Sequence, residues 1–348
     1  MPNIEARHVG RIDWADGAKA ISILLVAFHH AHILAESQDL SFRVFAILDK
    51  LLTPIRMPLF FTISGIFANR VLSMPWRIVF RQRIVSYYYL YAAWVVLSWL
   101  FNRYVQVDLR HANDEQSIEY LLSMFVVPQG GLWFLWVLAL FFGVGRLIDA
   151  GRGATLLSLL IVLAVLTNSH IIPLRYPLSN VFLYGPFFYG GAWYGRLIIS
   201  TVPHYPKIMV CIGAVAYGAL MITARWVDPL IGSTLLLSIS GLCLALGATV
   251  LVCRSNSVQI ILSYLGRNTL PIYVMHGKVI NLLLTAVLAL AWEKGFWIVP
   301  AVAFASVAGS LALASLLGAV GYRWLYSVDG PLGAWDSFAA KLRALPAQ

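Results

Sequence analysis

The sequence predicts an all-α, polytopic integral membrane protein of about ten transmembrane helices with both termini cytoplasmic. Three observations carry that reading. Of 348 residues, 60% are hydrophobic and only 11% charged, more apolar surface than a soluble fold of this length can hide. A hydrocarbon layer about 30 Å thick asks for roughly 20 apolar residues per helix, and such segments recur along the chain. They are plainest from Leu156 to Leu166, Leu235 to Val252 and Trp297 to Leu317. Finally, the basic residues fall on alternate connections, which sets orientation.

Ten spans are centred near Leu25, Phe61, Trp94, Leu138, Leu160, Phe188, Ala214, Ser240, Leu282 and Val307. An even number puts both ends on one side, and that side collects 16 of the 25 Lys and Arg, among them Lys19, Arg70, Arg77, Arg81, Arg83 and Arg267. The opposite connections hold acids such as Glu36, Asp39, Asp108, Glu119 and Glu293. The formal charge of +10 is then cytoplasmic-loop charge facing anionic lipid, and gives no reason to expect nucleic acid. Residues 1–17 read as a cytoplasmic segment, 18–326 as the transmembrane domain and 327–348 as a cytoplasmic tail, with an amphipathic stretch from Trp335 to Leu345. About 17 polar residues precede the first apolar run, and no small-residue cleavage site follows it, so the first span is expected to be retained. Cys211, Cys243 and Cys253 have neither disulfide nor metal spacing.

Span one places Asp16, Lys19, His29 and His30 in apolar sequence, where ionisable groups are costly. Eleven residues at 100° each bring Lys19 and His30 to within about 20° of one face, and separate them by roughly 16 Å along the axis. His29 falls on a different face. Lys19 is either a snorkelling anchor or one end of a reaction path, and His30 either an interhelical hydrogen-bonding group or a base. Imidazole suits the second role, since it takes a proton from a hydroxyl near neutral pH.

Span two carries Pro54 and Pro58 near its start and Gly65 near its end, which predicts a bent or broken helix. Ser64 and Gly65 permit close helix approach. Arg70, Arg77, Arg81 and Arg83 follow. They are either positive-inside anchors or a guanidinium cluster able to bind phosphates. The longest connection runs from Asn102 to Gly131 on the far side and would face an acceptor. Span four opens on Gly130-Gly131-Leu132-Trp133-Phe134-Leu135, where Trp133 belongs to an interfacial aromatic belt or stacks on a ligand. Before span nine comes Leu265-Gly266-Arg267-Asn268-Thr269-Leu270-Pro271-Ile272-Tyr273-Val274-Met275-His276. Asn268 or Thr269 would cap the helix and Pro271 sit in its first turn. His276, about two turns in, reaches the His30 cavity or bonds another helix. Phosphate-binding loops, a dinucleotide fingerprint and a Gly-x-Ser-x-Gly elbow are all missing from the sequence.

Asp16-x-x-Lys19 with His30 after it, Phe60-Phe61-x-x-Ser64-Gly65, Leu132-Trp133-Phe134-Leu135, and Leu265-Gly266-x-Asn268-x-Leu270-x-Ile272-Tyr273-x-x-His276 stand in one order over nearly the whole chain. Together they resemble the acyltransferase-3 family, and within it the fucose 4-O-acetylase-like branch. The resemblance implies a multi-pass inner-membrane O-acyltransferase of bacteria. Such an enzyme uses acetyl-CoA, or another acyl-CoA, as donor and a sugar hydroxyl of a surface polysaccharide, lipid-linked saccharide or glycolipid as acceptor, with no bound cofactor and no metal. By the same resemblance His30, Lys19 and Asp16 are catalytic, Arg81, Arg83, Arg77 and Ser64 bind the donor, and Trp133, Asn268, Tyr273 and His276 line the acceptor cavity. Lys19 stands where the family often has Arg, which exchanges a bidentate fork for a point charge. Two other readings stay open: succinyl transfer to a periplasmic glucan, and a glycan transporter or flippase, for which paired broken spans would speak.

Overall fold

A computed structural model describes residues 13–105, 117–128, 130–148, 153–169, 171–224, 231–290 and 292–326. Among them every regular element is helical. The expected first span is α1 (Asp13–Ser37), and the second is α2 (Arg43–Leu72). The third is built from α3 (Trp76–Val79), a π-helical segment (Phe80–Val85) and α4 (Ser86–Val105). The fourth joins α5 (Ile118–Val126) and a 3₁₀ turn (Gly130–Leu132) to α6 (Trp133–Leu147). Then come α7 (Gly153–Asn168), α8 (Leu178–His204), α9 (Pro206–Thr223) and α10 (Ser233–Val252), followed by α11 (Asn256–Arg267), α12 (Thr269–Ala289) and α13 (Ile298–Ala319). All ten expected centres fall inside these helices. Among the described residues eight units are long and apolar enough to cross a membrane; the two expected spans outside that set are the 16-residue α7 and the 27-residue α8. The chain is thus an all-α polytopic membrane protein. Outward faces agree: α9 and α13 turn apolar side chains such as Val215 and Phe304, 73% and 75% exposed, outward, as helices facing lipid do.

Two expectations change. The second span is continuous: α2 runs 30 residues through both prolines. Each proline removes one backbone donor, from the Lys50 and Pro54 carbonyls four residues earlier, without ending the helix. Tyr217 on α9 donates to the Leu51 carbonyl, Thr53 to Asp49, and Ser22 on α1 to Arg56 at 2.6 Å. The outer connection after the third span is also shorter than expected, because α4 runs on to Val105 and α5 occupies Ile118–Val126. Ser117 caps α5 by accepting from the Tyr120 amide at 3.0 Å. Asp108, Arg110, His111, Asp114 and Glu115, residues 1–12 and the 335–345 stretch lie outside the described residues.

Glycines set the distances that matter. A side chain at Gly65 would collide with the Phe188 carbonyl, and one at Gly191 with the Thr62 carbonyl, so α2 and α8 touch backbone to backbone. Gly266 does the same against the Asp16 carbonyl, seating α11 on α1. Between these contacts lies an aromatic core of Phe61, Phe134, Phe141, Phe188 and Tyr189.

Candidate functional site

Two chambers lie along the inner face of α1, one beside Lys19 and one beside His30. The first, of about 560 Å³, is walled by α1, α2, α6 and the π segment, with the α11–α12 junction closing it. It gathers three cations, Lys19, Arg83 and Arg267, against the single carboxylate of Asp16, beside Ser64 and aromatic surface from Phe60 and Tyr87. Lys19 Nζ lies 3.5 Å from Asp16 Oδ1 and 3.9 Å above the Phe67 ring, so its charge is steered inward. The π segment carries Arg83 to this wall, as an extra residue per turn re-aims side chains. Buried Arg83 Nε has no hydrogen-bond partner. A bare guanidinium donor in a cation-lined chamber suits an anion.

The second chamber, about 240 Å³, is lined by His30, Trp99, Asn102, Tyr120, His276 and Lys278. The Gly130–Leu132 turn forms one wall, and an atom added as Cβ at Gly131 would stand 3.7 Å from His30 Nε2. Rings of His30 and His276 lie with centroids 5.1 Å apart, tilted 52° to each other. Tyr273 borders both chambers: its hydroxyl donates to the Gly131 carbonyl and accepts from the Phe134 amide at 3.1 Å. One phenol therefore pins the turn to α12 and forms the partition. Tyr176, in the connection before α8, holds the same turn by donating to the Gly130 carbonyl at 2.8 Å.

The structure brings together Asp16, Lys19, Ser64 and Arg83 at the first chamber and His30 and His276 at the second, with Tyr273 between. Others sit elsewhere. Arg77 is exposed on α3, and Arg81 lines neither chamber. Trp133, half-buried, stacks on Tyr184 at 5.6 Å beside Phe61 and lines neither chamber. Asn268 stands at the α11–α12 junction beside the first chamber, where its amide donates back to the Tyr264 carbonyl at 2.8 Å and caps nothing ahead. His276 makes its bonds within α12 and none to another helix: Nδ1 lies 2.9 Å from the Ile272 carbonyl and 2.8 Å from that of Tyr273.

One network escaped the sequence reading. Asp49 Oδ1 on α2 meets both His29 Nδ1 and Arg56 Nη1 at 2.8 Å, all three largely buried. The His29 ring in turn lies 5.0 Å from His30. Asp49 and Arg56 are seven apart, hence on one helix face, and that spacing was the available signal. Lys278 was also passed over; its Nζ donates to Asn102 Oδ1 at 2.6 Å in the second chamber. Among the described residues no group of three His, Cys, Asp or Glu is placed to hold a metal, and the three cysteines are unpaired.

A family model described as an acyltransferase domain matches residues 12–315. The chain is 26% identical over 308 residues to the inner membrane protein YcfT of Escherichia coli (strain K12), covering 79% of this chain and 82% of that protein. No solved structure matches it.

Proposed function

The chain belongs to the acyltransferase-3 family, and from that premise we propose that it moves an acetyl group from acetyl-CoA across the inner membrane to a sugar hydroxyl of a surface or lipid-linked glycan. The observation that carries this reading is the pair of chambers meeting at Tyr273, one lined by cations and one by imidazoles. Lys19, Arg83 and Arg267 supply charge for the donor's phosphates, and Arg83 has a free N–H to give. The donor's thioester end would extend past Phe60 and Phe134 toward Tyr273, while the second chamber offers Trp99 and Tyr120 as surfaces against which a sugar packs. An inner-membrane location follows the relative's, and suits a cytoplasmic donor.

The chemistry needs no net proton. The sugar hydroxyl loses its proton as its oxygen bonds to the thioester carbonyl carbon; the carbon–sulfur bond breaks, and the departing thiolate takes a proton up. His30, beside the partition, is the group through which that proton moves. The continuity of α2 removes the broken span that a transporter reading had in its favour. The test uses inverted membrane vesicles given acetyl-CoA labelled in the acetyl group, with succinyl-CoA in parallel. Label appearing in extracted glycan from acetyl-CoA supports the reading, and transfer from succinyl-CoA alone would replace the acyl group named here.

A further inference from the structure

Two buried acceptor atoms without partners belong to α12 residues that line the second chamber: His276 Nε2 and Asn281 Oδ1. His276 is 3% exposed and Asn281 8%. A buried polar atom left unsatisfied costs about 1–3 kcal/mol, so one that persists asks for a ligand bearing the complementary group. Carbonyl oxygens only accept, so the contacts from His276 Nδ1 to the Ile272 and Tyr273 carbonyls place the ring proton on Nδ1. Nε2 must then carry the lone pair, and it is held in that tautomer by the helix itself. The ring cannot swing away without giving up both contacts. A fixed, buried imidazole lone pair on a residue that lines a chamber, with a second imidazole 5.1 Å away ring to ring, is an arrangement for taking a proton from a hydroxyl.

We infer that His276 is a second catalytic imidazole, the base that receives the acceptor's hydroxyl proton at Nε2, with Asn281 Oδ1 accepting from another hydroxyl of the same polyol. The inference rests on the acyl-transfer reading above and divides its proton handling between two rings. The hydroxyl proton passes to His276 Nε2 while the hydroxyl oxygen bonds to the thioester carbonyl carbon. The carbon–sulfur bond breaks and the thiolate takes its proton from His30, which enters the step as the imidazolium and leaves it neutral. The proton on His276 then returns to the neutral His30, whose ring centroid is 5.1 Å away, restoring both.

The experiment compares wild type, His276→Ala and His276→Gln as full-length protein in membrane vesicles. The probes are acetyl-labelled acetyl-CoA and the envelope glycan fraction of a strain lacking the protein, with and without added imidazole. Both variants are expected to lose at least about 100-fold in transfer, the contribution typical of a positioned base. Imidazole is expected to restore part of the rate in His276→Ala, where the lost ring leaves room beside the chamber, and none in His276→Gln, where the amide fills it. Transfer at wild-type rate in either variant overturns the inference, and so does a loss in His276→Ala that imidazole leaves untouched, because the ring would then be structural. Wild type that transfers nothing from any acyl-CoA would instead remove the acyl-transfer reading itself.

Discussion

Replacing Arg83 tests the donor chamber most sharply, because the structure makes its cost almost wholly functional. Its Nε is buried and makes no hydrogen bond, and its side chain lines the first chamber beside Lys19. Arg83→Ala breaks no bond from that nitrogen, so the unfolding temperature in detergent should stay close to wild type. A hydrogen bond from a charged donor to a phosphate is worth about 1.5–3 kcal/mol, and each 1.4 kcal/mol is tenfold in affinity. The KM for acetyl-CoA should therefore rise roughly ten- to hundredfold, with kcat at saturation changed far less. Arg83→Lys keeps the charge and loses the fork, and should fall between. Arg77→Ala, exposed on α3 and away from the chamber, is the control and should leave donor dependence alone. The assay is initial-rate transfer against acetyl-CoA concentration in vesicles. An unchanged KM in Arg83→Ala, or an equal rise in Arg77→Ala, would refute the placement of the donor's phosphates in this chamber.

Three further outcomes follow from the packing. Gly65→Val drives a side chain into the Phe188 carbonyl and should cost at least about 1–3 kcal/mol of stability, read as a lower unfolding temperature; an unshifted transition would contradict the backbone contact of α2 and α8. Tyr273→Phe removes the donor to the Gly131 carbonyl and strands the Phe134 amide, at about 1–3 kcal/mol, and opens the partition. It should raise thiol release from acetyl-CoA in the absence of acceptor, and unaltered release would show that the phenol is no barrier. Asp49→Asn leaves Arg56 as a buried cation without its carboxylate and should destabilise by about 3–5 kcal/mol, whereas Asp49→Leu with Arg56→Met should recover much of the loss; equal damage in both would argue that the pair does more than neutralise itself.

The spans were readable because hydropathy accumulates over about 20 residues, and so was the inward pairing of Lys19 with His30, which needs only the helical period. What depends on neighbours was not. Pro54 and Pro58 predict a break in isolation, yet α2 continues through both, packed against α1, α8 and α10. Trp133 has the position of an interfacial residue in the sequence, yet Tyr184, fifty-one positions later, stacks on it and packs it against the core. The π segment that turns Arg83 inward leaves no compositional trace, and four arginines in a row of connections look alike until one of them lines a wall. His276 could be placed near His30 by counting turns, but the bonds that fix its lone pair are set by a rotamer. Asp49 and Arg56 were legible at seven residues' spacing and were hidden only by their place at the flank of a proline-bearing span.

The measurement that bears most directly on the account is mass spectrometry of envelope glycans from three strains: wild type, a deletion, and one carrying His30→Ala at equal membrane abundance. Proton transfer through His30 predicts that the deletion and the variant both lose about 42 Da per modified sugar, or about 100 Da if the group is succinyl. Full acylation in the His30→Ala strain would contradict the account, and unmodified glycans in all three strains would show that this chain does not acylate them.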